Sequence, residues 1–183
     1  MPAERAVALA CHPESRAGAV RGVRARVFRS AGGALAVAFT IEAAVRRLRV
    51  PPPAAPRFAD FLWKHTCCEV FVARRGAGAY HEFNLAPSGE WAAYAFGAYR
   101  ERAGLDASGL DPGIVLERSS SALELEATLR LERLSPEHAR APLALGLSAV
   151  IEDVRGALSY WALAHPPGPP DFHHTGSFAL ELE

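Results

Sequence analysis

What this chain lacks narrows its class before any motif is read. It has no excess of either charge: Lys plus Arg and Asp plus Glu number 20 each, and the formal net charge at pH 7 is +0. A neutral chain has no electrostatic reason to seek nucleic acid or an anionic membrane surface, so neither is expected as a partner. Arg16, Arg21, Arg24, Arg26 and Arg29 do crowd the first third, where they read as the solvated face of a strand rather than a phosphate site. No apolar run approaches the length of a membrane span. The patch from Ala6 to Ala10 is too short for the apolar region of a signal peptide. Cysteine is sparse, with Cys11, Cys67 and Cys68 alone, and no CxxC spacing points to zinc. Cys67 and Cys68 would face opposite sides of a strand, where a bond between them is strained. Three reduced thiols and a cytoplasmic location are therefore expected. P-loop, dinucleotide and HExxH fingerprints are missing, and Ser119-Ser120-Ser121 lacks a nucleophile-elbow context.

What is present is period-two alternation, the mark of half-buried strands. The cleanest run sets Leu123, Leu125, Ala127, Leu129 and Leu131 against Glu124, Glu126, Thr128 and Arg130. A second places Leu35, Val37, Phe39 and Ile41 on one face, after a hairpin turn at Ser30-Ala31-Gly32-Gly33 that follows a strand around 23–28. Further strands are predicted over 67–73, 79–86, 91–96, 113–117, 143–152, 157–165 and 177–183. Glycine-rich or proline-containing turns separate many of them. Ser135-Pro136-Glu137-His138 could cap one helical turn, and helix evidence is otherwise thin. Two proline-rich stretches, 51–56 and 166–170, read as stiff connectors, because proline continues neither a ladder nor a helix. About ten short strands with close turns predict an all-β, antiparallel β-sandwich of the immunoglobulin or jelly-roll kind, one domain over residues 1–183.

Polar and aromatic residues gather in two stretches, 63–100 and 160–174, which hold all three tryptophans. An aromatic ring beside carboxylate, amide and guanidinium groups is what a sugar site needs. Its C–H faces stack on indole, and its hydroxyls take polar partners at the rim. Glu69, Glu82 and Asn84 lie inside otherwise apolar strands. If buried, they need partners. On an open face they need none.

The stretches from Leu62-Trp63-Lys64-His65 through Cys68-Glu69-Val70-Phe71 and Tyr80-His81-Glu82-Phe83-Asn84-Leu85 to Trp91 resemble bacterial DOMON-like proteins, which are relatives of family 9 carbohydrate-binding modules. So do Ser159-Tyr160-Trp161 and Pro170-Asp171-Phe172-His173-His174. The resemblance implies a β-sandwich from a superfamily that binds sugars or haem. In its sugar-binding members two tryptophans sandwich the ligand, with a glutamate on the first tryptophan's strand. Trp63 with Glu69 matches the first half, and Trp161 is the candidate for the second ring. The expected function is non-catalytic binding of a small molecule, a carbohydrate first. The expected contacts are Trp63, Glu69 and Trp161, with Glu82, Asn84, Arg100, His65 and His173 around them. Trp63 and Glu69 are an even number of positions apart, so on one continuous strand they would share a face.

Three other readings compete. Haem held by Met and His would need Met1, the chain's one methionine, whereas bis-His ligation could use His65 with His173. A metal could take His165, Asp171 and one of His173 and His174. A hydrolase could pair Glu69 with Glu82.

Overall fold

A computed structural model describes residues 4–183. The strands are β1 (Arg5–Cys11), β2 (Val20–Arg29), β3 (Leu35–Ala43), β4 (Cys67–Arg74), β5 (Tyr80–Leu85), β6 (Trp91–Ala98), β7 (Glu101–Ala103), β8 (Val115–Arg118), β9 (Ala122–Leu129), β10 (Leu143–Glu152), β11 (Leu158–Ala162) and β12 (Leu180–Leu182). Every pairing between them is antiparallel. Helix is confined to four three-residue 3-10 turns among the described residues.

The ladder runs β7-β6-β5-β4-β10-β11-β1-β2-β3-β9-β8, with β12 added to β10. It folds over itself at β1. Residues Arg5 to Leu9 pair with β2, while Ala10 and Cys11 pair with β11. One strand therefore belongs to two layers, a way of turning a corner between packed sheets. The first sheet is β1-β2-β3-β9-β8 and the second β7-β6-β5-β4-β10-β11. Their facing sides form one core, with Val27, Phe39 and Leu125 from the first sheet against Val70, Phe83 and Leu147 from the second. All six are almost wholly buried.

Alternation explains the first sheet. Along β3 the side chains are alternately buried and half-buried, and along β9 the outward positions carry Glu124 and Glu126. The hairpin at residues 30–34 closes with Gly33 at φ 87°, a left-handed conformation that favours glycine. The second sheet differs. Strands β4 and β10 are buried on both faces over nearly their whole length. Their outer face carries a second cluster that includes Phe71, Tyr80, Tyr94, Phe96 and Phe172. Gly146 in β10 makes room for this cover, since a Cβ there would stand 2.9 Å from the Phe178 ring.

The structure has two strands more than the ten predicted. The added β1 is largely exposed and alanine-rich, and β7 is three exposed residues, so neither carries a strong pattern. The C-terminal strand is shorter than predicted, because Thr175–Ser177 forms a 3-10 turn. Ser135 Oγ accepts from the His138 N–H at 3.3 Å, but the chain makes an isolated turn there and not a helix. Cys11, Cys67 and Cys68 are all unpaired. No helix among the described residues is long and apolar enough to cross a membrane.

Candidate functional site

The outer face of the second sheet forms the floor of a cleft of about 360 Å³. Strand parity sets that floor. Glu69 on β4 lies opposite Asn84 on β5, and Phe71 lies opposite Glu82, so the two glutamates are diagonal neighbours on one face. Val150 on β10 and Tyr160 on β11 continue the floor, and Phe96 on β6 closes its other side. The turn Leu62–Lys64 brings Trp63 over one edge, 6.0 Å from the Tyr94 ring and nearly perpendicular to it. Pro170, Phe172 and His173 form the opposite wall.

The two bends that shape the rim are strained. Phe61 and Arg100 are the non-glycine residues with positive φ among the described residues, at 65° and 56°. A bulky side chain seldom adopts that conformation, and such strain concentrates at functional sites. Phe61 opens the turn that presents Trp63. Arg100 joins β6 to β7, and its guanidinium reaches Asp171 at 2.8 Å, with Tyr99 donating to the same carboxylate at 2.6 Å. Partial burial works against ionisation of Asp171, but these hydrogen bonds outweigh it and hold the acid below its ordinary range. Arg102 lies flat over Tyr94, 3.8 Å from the ring centre. Among the described residues it has no ion-pair partner.

His173 is held between two polar groups. The Arg100 backbone N–H donates to the Tyr80 hydroxyl at 3.1 Å, and that hydroxyl lies 2.9 Å from His173 Nδ1. His173 Nε2 faces Glu82 Oε2 at 3.6 Å. Burial first, then Arg100, lowers His173 to about 4, with Asp171 opposing. The ring is neutral at physiological pH.

The carboxyls on the floor move the other way. Glu69 is 3% exposed, and burial pushes it well above the usual carboxylate range. The charge of Glu82 pushes in the same direction, and Arg100 pulls back. Glu82, 5% exposed, is also raised by burial, against the Asn84 hydrogen bond and the two arginines. Asn84 Nδ2 donates to Glu82 Oε1 at 2.9 Å. Glu69 has no side-chain hydrogen bond among the described residues, although both carboxyls line the cleft. The row across the sheet through Glu69 contains Ser148 and Asn84, whose Oγ and Oδ1 are also buried without partners.

The sequence-predicted residues divide accordingly. Trp63, Glu69, Glu82, Arg100 and His173 come together at the cleft. Trp63 does so from a 3-10 turn and not from the strand of Glu69, so the shared-face argument does not account for its place. Asn84 is fully buried and acts through Glu82. Trp161 is placed elsewhere. It is 5% exposed, packs in the core between the sheets, and donates from Nε1 to Ser159 Oγ at 3.0 Å. Its neighbour Tyr160 takes the outer face, because adjacent strand residues point opposite ways. His65 also stands apart. Its Nδ1 meets Glu152 Oε2 at 2.7 Å in a second cavity of about 590 Å³, beyond the Leu62–Lys64 turn. His65 and His173 thus open on different cavities and do not fit one haem between them. Met1 lies outside the described residues. Nor do the metal candidates gather: His165 meets the Ala10 carbonyl and His174 caps its own turn. No group of three metal-ligating side chains occurs among the described residues. Tyr160, Phe96 and Arg102 also line the cleft; the sequence gives no signal for Arg102, because β7 is three exposed residues and Arg100 before it sits at a bend.

No family model and no curated protein matches the chain. A solved structure does. Over 96% of this chain and 84% of the other, it is similar to a proposed carbohydrate-binding protein from Bacteroides uniformis ATCC 8492, with a TM-score of 0.63 and 14% sequence identity. At that identity the likeness carries the fold, an antiparallel β-sandwich, and not the ligand.

Proposed function

We propose that this protein is a non-catalytic carbohydrate-binding domain, and that the cleft over Glu69 and Glu82 is its sugar site. One observation carries the reading: an aromatic-walled cleft on the outer face of one sheet has two nearly buried carboxyls on its floor. The volume suits a single sugar ring, since ligand cavities run from about 300 to 1,000 Å³. Trp63 and Phe172 offer apolar faces to C–H groups, and the carboxyls with Arg102 offer partners to hydroxyls. The similar fold of a proposed carbohydrate-binding protein supports this, as does the resemblance to DOMON-like and family 9 modules.

The test is a thermal-shift screen against mono- and disaccharides, followed by calorimetry. A binder at a hundred times its Kd stabilises the fold by about 2.7 kcal/mol and must raise Tm. Trp63→Ala should remove the shift. A screen in which no sugar moves Tm, or a Trp63→Ala variant that binds undiminished, would overturn the reading.

A further inference from the structure

The charges at the cleft do not balance. Arg100 is matched by Asp171 at 2.8 Å. His173 is largely buried, which lowers it to about 4, so it adds no charge. Arg102 is then left to face two carboxyls, Glu69 and Glu82, and it reaches neither within ion-pairing distance. With both carboxyls ionised the site is one positive charge short.

Glu69 marks where that charge belongs. Its carboxyl is nearly buried, lines the cleft, and has no hydrogen-bond partner among the described residues. Its flanking polar atoms, Ser148 Oγ and Asn84 Oδ1, are likewise unpartnered. A buried polar group left without a partner costs free energy, and a buried unpaired charge costs more. Around the carboxyl lie Trp63 and Phe172 at the rim and Tyr160 and Phe96 along the floor, aromatic rings of the kind that attract cations. An acid floor under aromatic walls accepts a cation that also carries C–H surface.

Resting on the sugar reading above, we infer that the ligand is a sugar bearing one ammonium group, an amino sugar, with its nitrogen seated against Glu69 and Glu82. In the unliganded protein the pair retains a proton in place of that ammonium, in keeping with the upward displacement of both acids. Binding releases the proton to solvent, and no covalent bond is made or broken. The groups facing the pair are Arg100 and Arg102 from the β6–β7 side, Tyr94 from β6, His173 and Asp171 from the 170–174 wall, Tyr80 from β5, Tyr160 from β11, and Cys67 from β4. The Cys67 thiol is itself raised by burial and by Glu69, so it is neutral and adds no charge. His173, lowered to about 4, stays neutral through the range of the test.

The experiment is calorimetric titration of the whole chain with glucosamine, glucose and cyclohexylamine between about pH 5 and pH 7, in two buffers of different ionisation enthalpy. Glucose is the same ring with a hydroxyl in place of the amine. Glucosamine should bind about tenfold tighter than glucose, or more, because hydrogen bonds to charged groups are the strong ones. The advantage should grow as pH rises through the titration of the pair, and the buffer comparison should show a proton released. Glu69→Gln, a near-isosteric change checked for folding by circular dichroism, should bring the glucosamine-to-glucose ratio towards one. Glu82→Gln is the second variant if the first is unstable. Equal binding of glucose and glucosamine, with no proton released, would overturn this inference and leave the sugar reading standing. Cyclohexylamine binding as tightly as glucosamine would overturn both, leaving a plain ammonium pocket. Failure of every sugar to bind would also overturn both.

Discussion

The outer faces of the two sheets are built from similar residue types and behave in opposite ways. On the first sheet the outward charges find each other in solvent: Arg24 pairs with Glu42, and Arg26 lies between Glu4 and Glu124. Nothing covers them, and each can be solvated without help. On the second sheet the outward positions include Glu69, Glu82 and Asn84 beside Phe71, Tyr94 and Phe96. Two segments, Leu62–Lys64 and residues 170–178, fold over them. The same alternation therefore yields a solvated exterior in one case and a covered cleft in the other. Cover makes the difference, because it shields from bulk water two carboxyls, of which Glu69 has no hydrogen-bond partner among the described residues.

The largest effect should come from the core that both sheets share. Trp161→Ala removes a ring packed between them and should cost about 3–5 kcal/mol in denaturant unfolding. Trp63→Ala removes the same side chain from the rim of the cleft. It should cost about 1 kcal/mol of stability or less. It should weaken sugar binding at least about tenfold, as loss of an aromatic anchor does. If Trp63 proves the costlier of the two for stability, the division between core and cleft is wrong.

A pH series sharpens the contrast next. The folded state holds the proton of Glu69 more tightly than the unfolded chain does, since burial raises this acid. That contribution is fully present below the ordinary carboxylate pKa, near 4.5, and is lost as pH rises through the raised value. His173 and His81 act in the opposite sense. Each is lowered to about 4, burial being the main cause, so their contribution is present above about 6.5 and lost as pH falls through about 4. Glu69→Gln should therefore raise Tm more at about pH 8 than at pH 5, while leaving the acid limb in place. A variant that melts lower than the parent at pH 8 would show that the ionised carboxylate stabilises the fold. The smallest effect belongs to the first sheet. Arg24→Ala should change stability by less than about 1 kcal/mol, and less still in high salt, because the pair with Glu42 is exposed.

The same contrast governs what could be read from the sequence. In the first sheet β3 and β9 were legible nearly residue by residue, because one face is dry and the other wet along them, whereas the exposed, alanine-rich β1 was not. The second sheet was legible as strands, but not as faces. When both sides are buried, hydrophobicity loses its period, and parity must come from polar residues such as Glu69 and Glu82. That signal placed the carboxyls together and gave no guidance at Trp161, where β11 is short and its two aromatics are adjacent. The family resemblance points to a tryptophan as the second ring, whereas Trp161 packs in the core and Tyr160 takes the outer face. Trp63 reached the cleft through the turn that follows Phe61, whose left-handed backbone no residue pattern announces.

The way β1 straddles the two sheets also bears on when each of them can form. Its first half registers with β2, a neighbour in sequence, so that hairpin can close soon after it emerges from the ribosome. Its last residues wait for Trp161 and Ala162, synthesised about 150 residues later. Strand β10 likewise must arrive before β4 is enclosed. The β1-β2-β3 and β4-β5-β6-β7 meanders can thus form early from local contacts, whereas the cleft is closed by the last strands made. A nascent chain halted before β10 would present Glu69 on an unpaired strand edge, without Val150 and Tyr160 beside it, and that edge is where misassembly would begin.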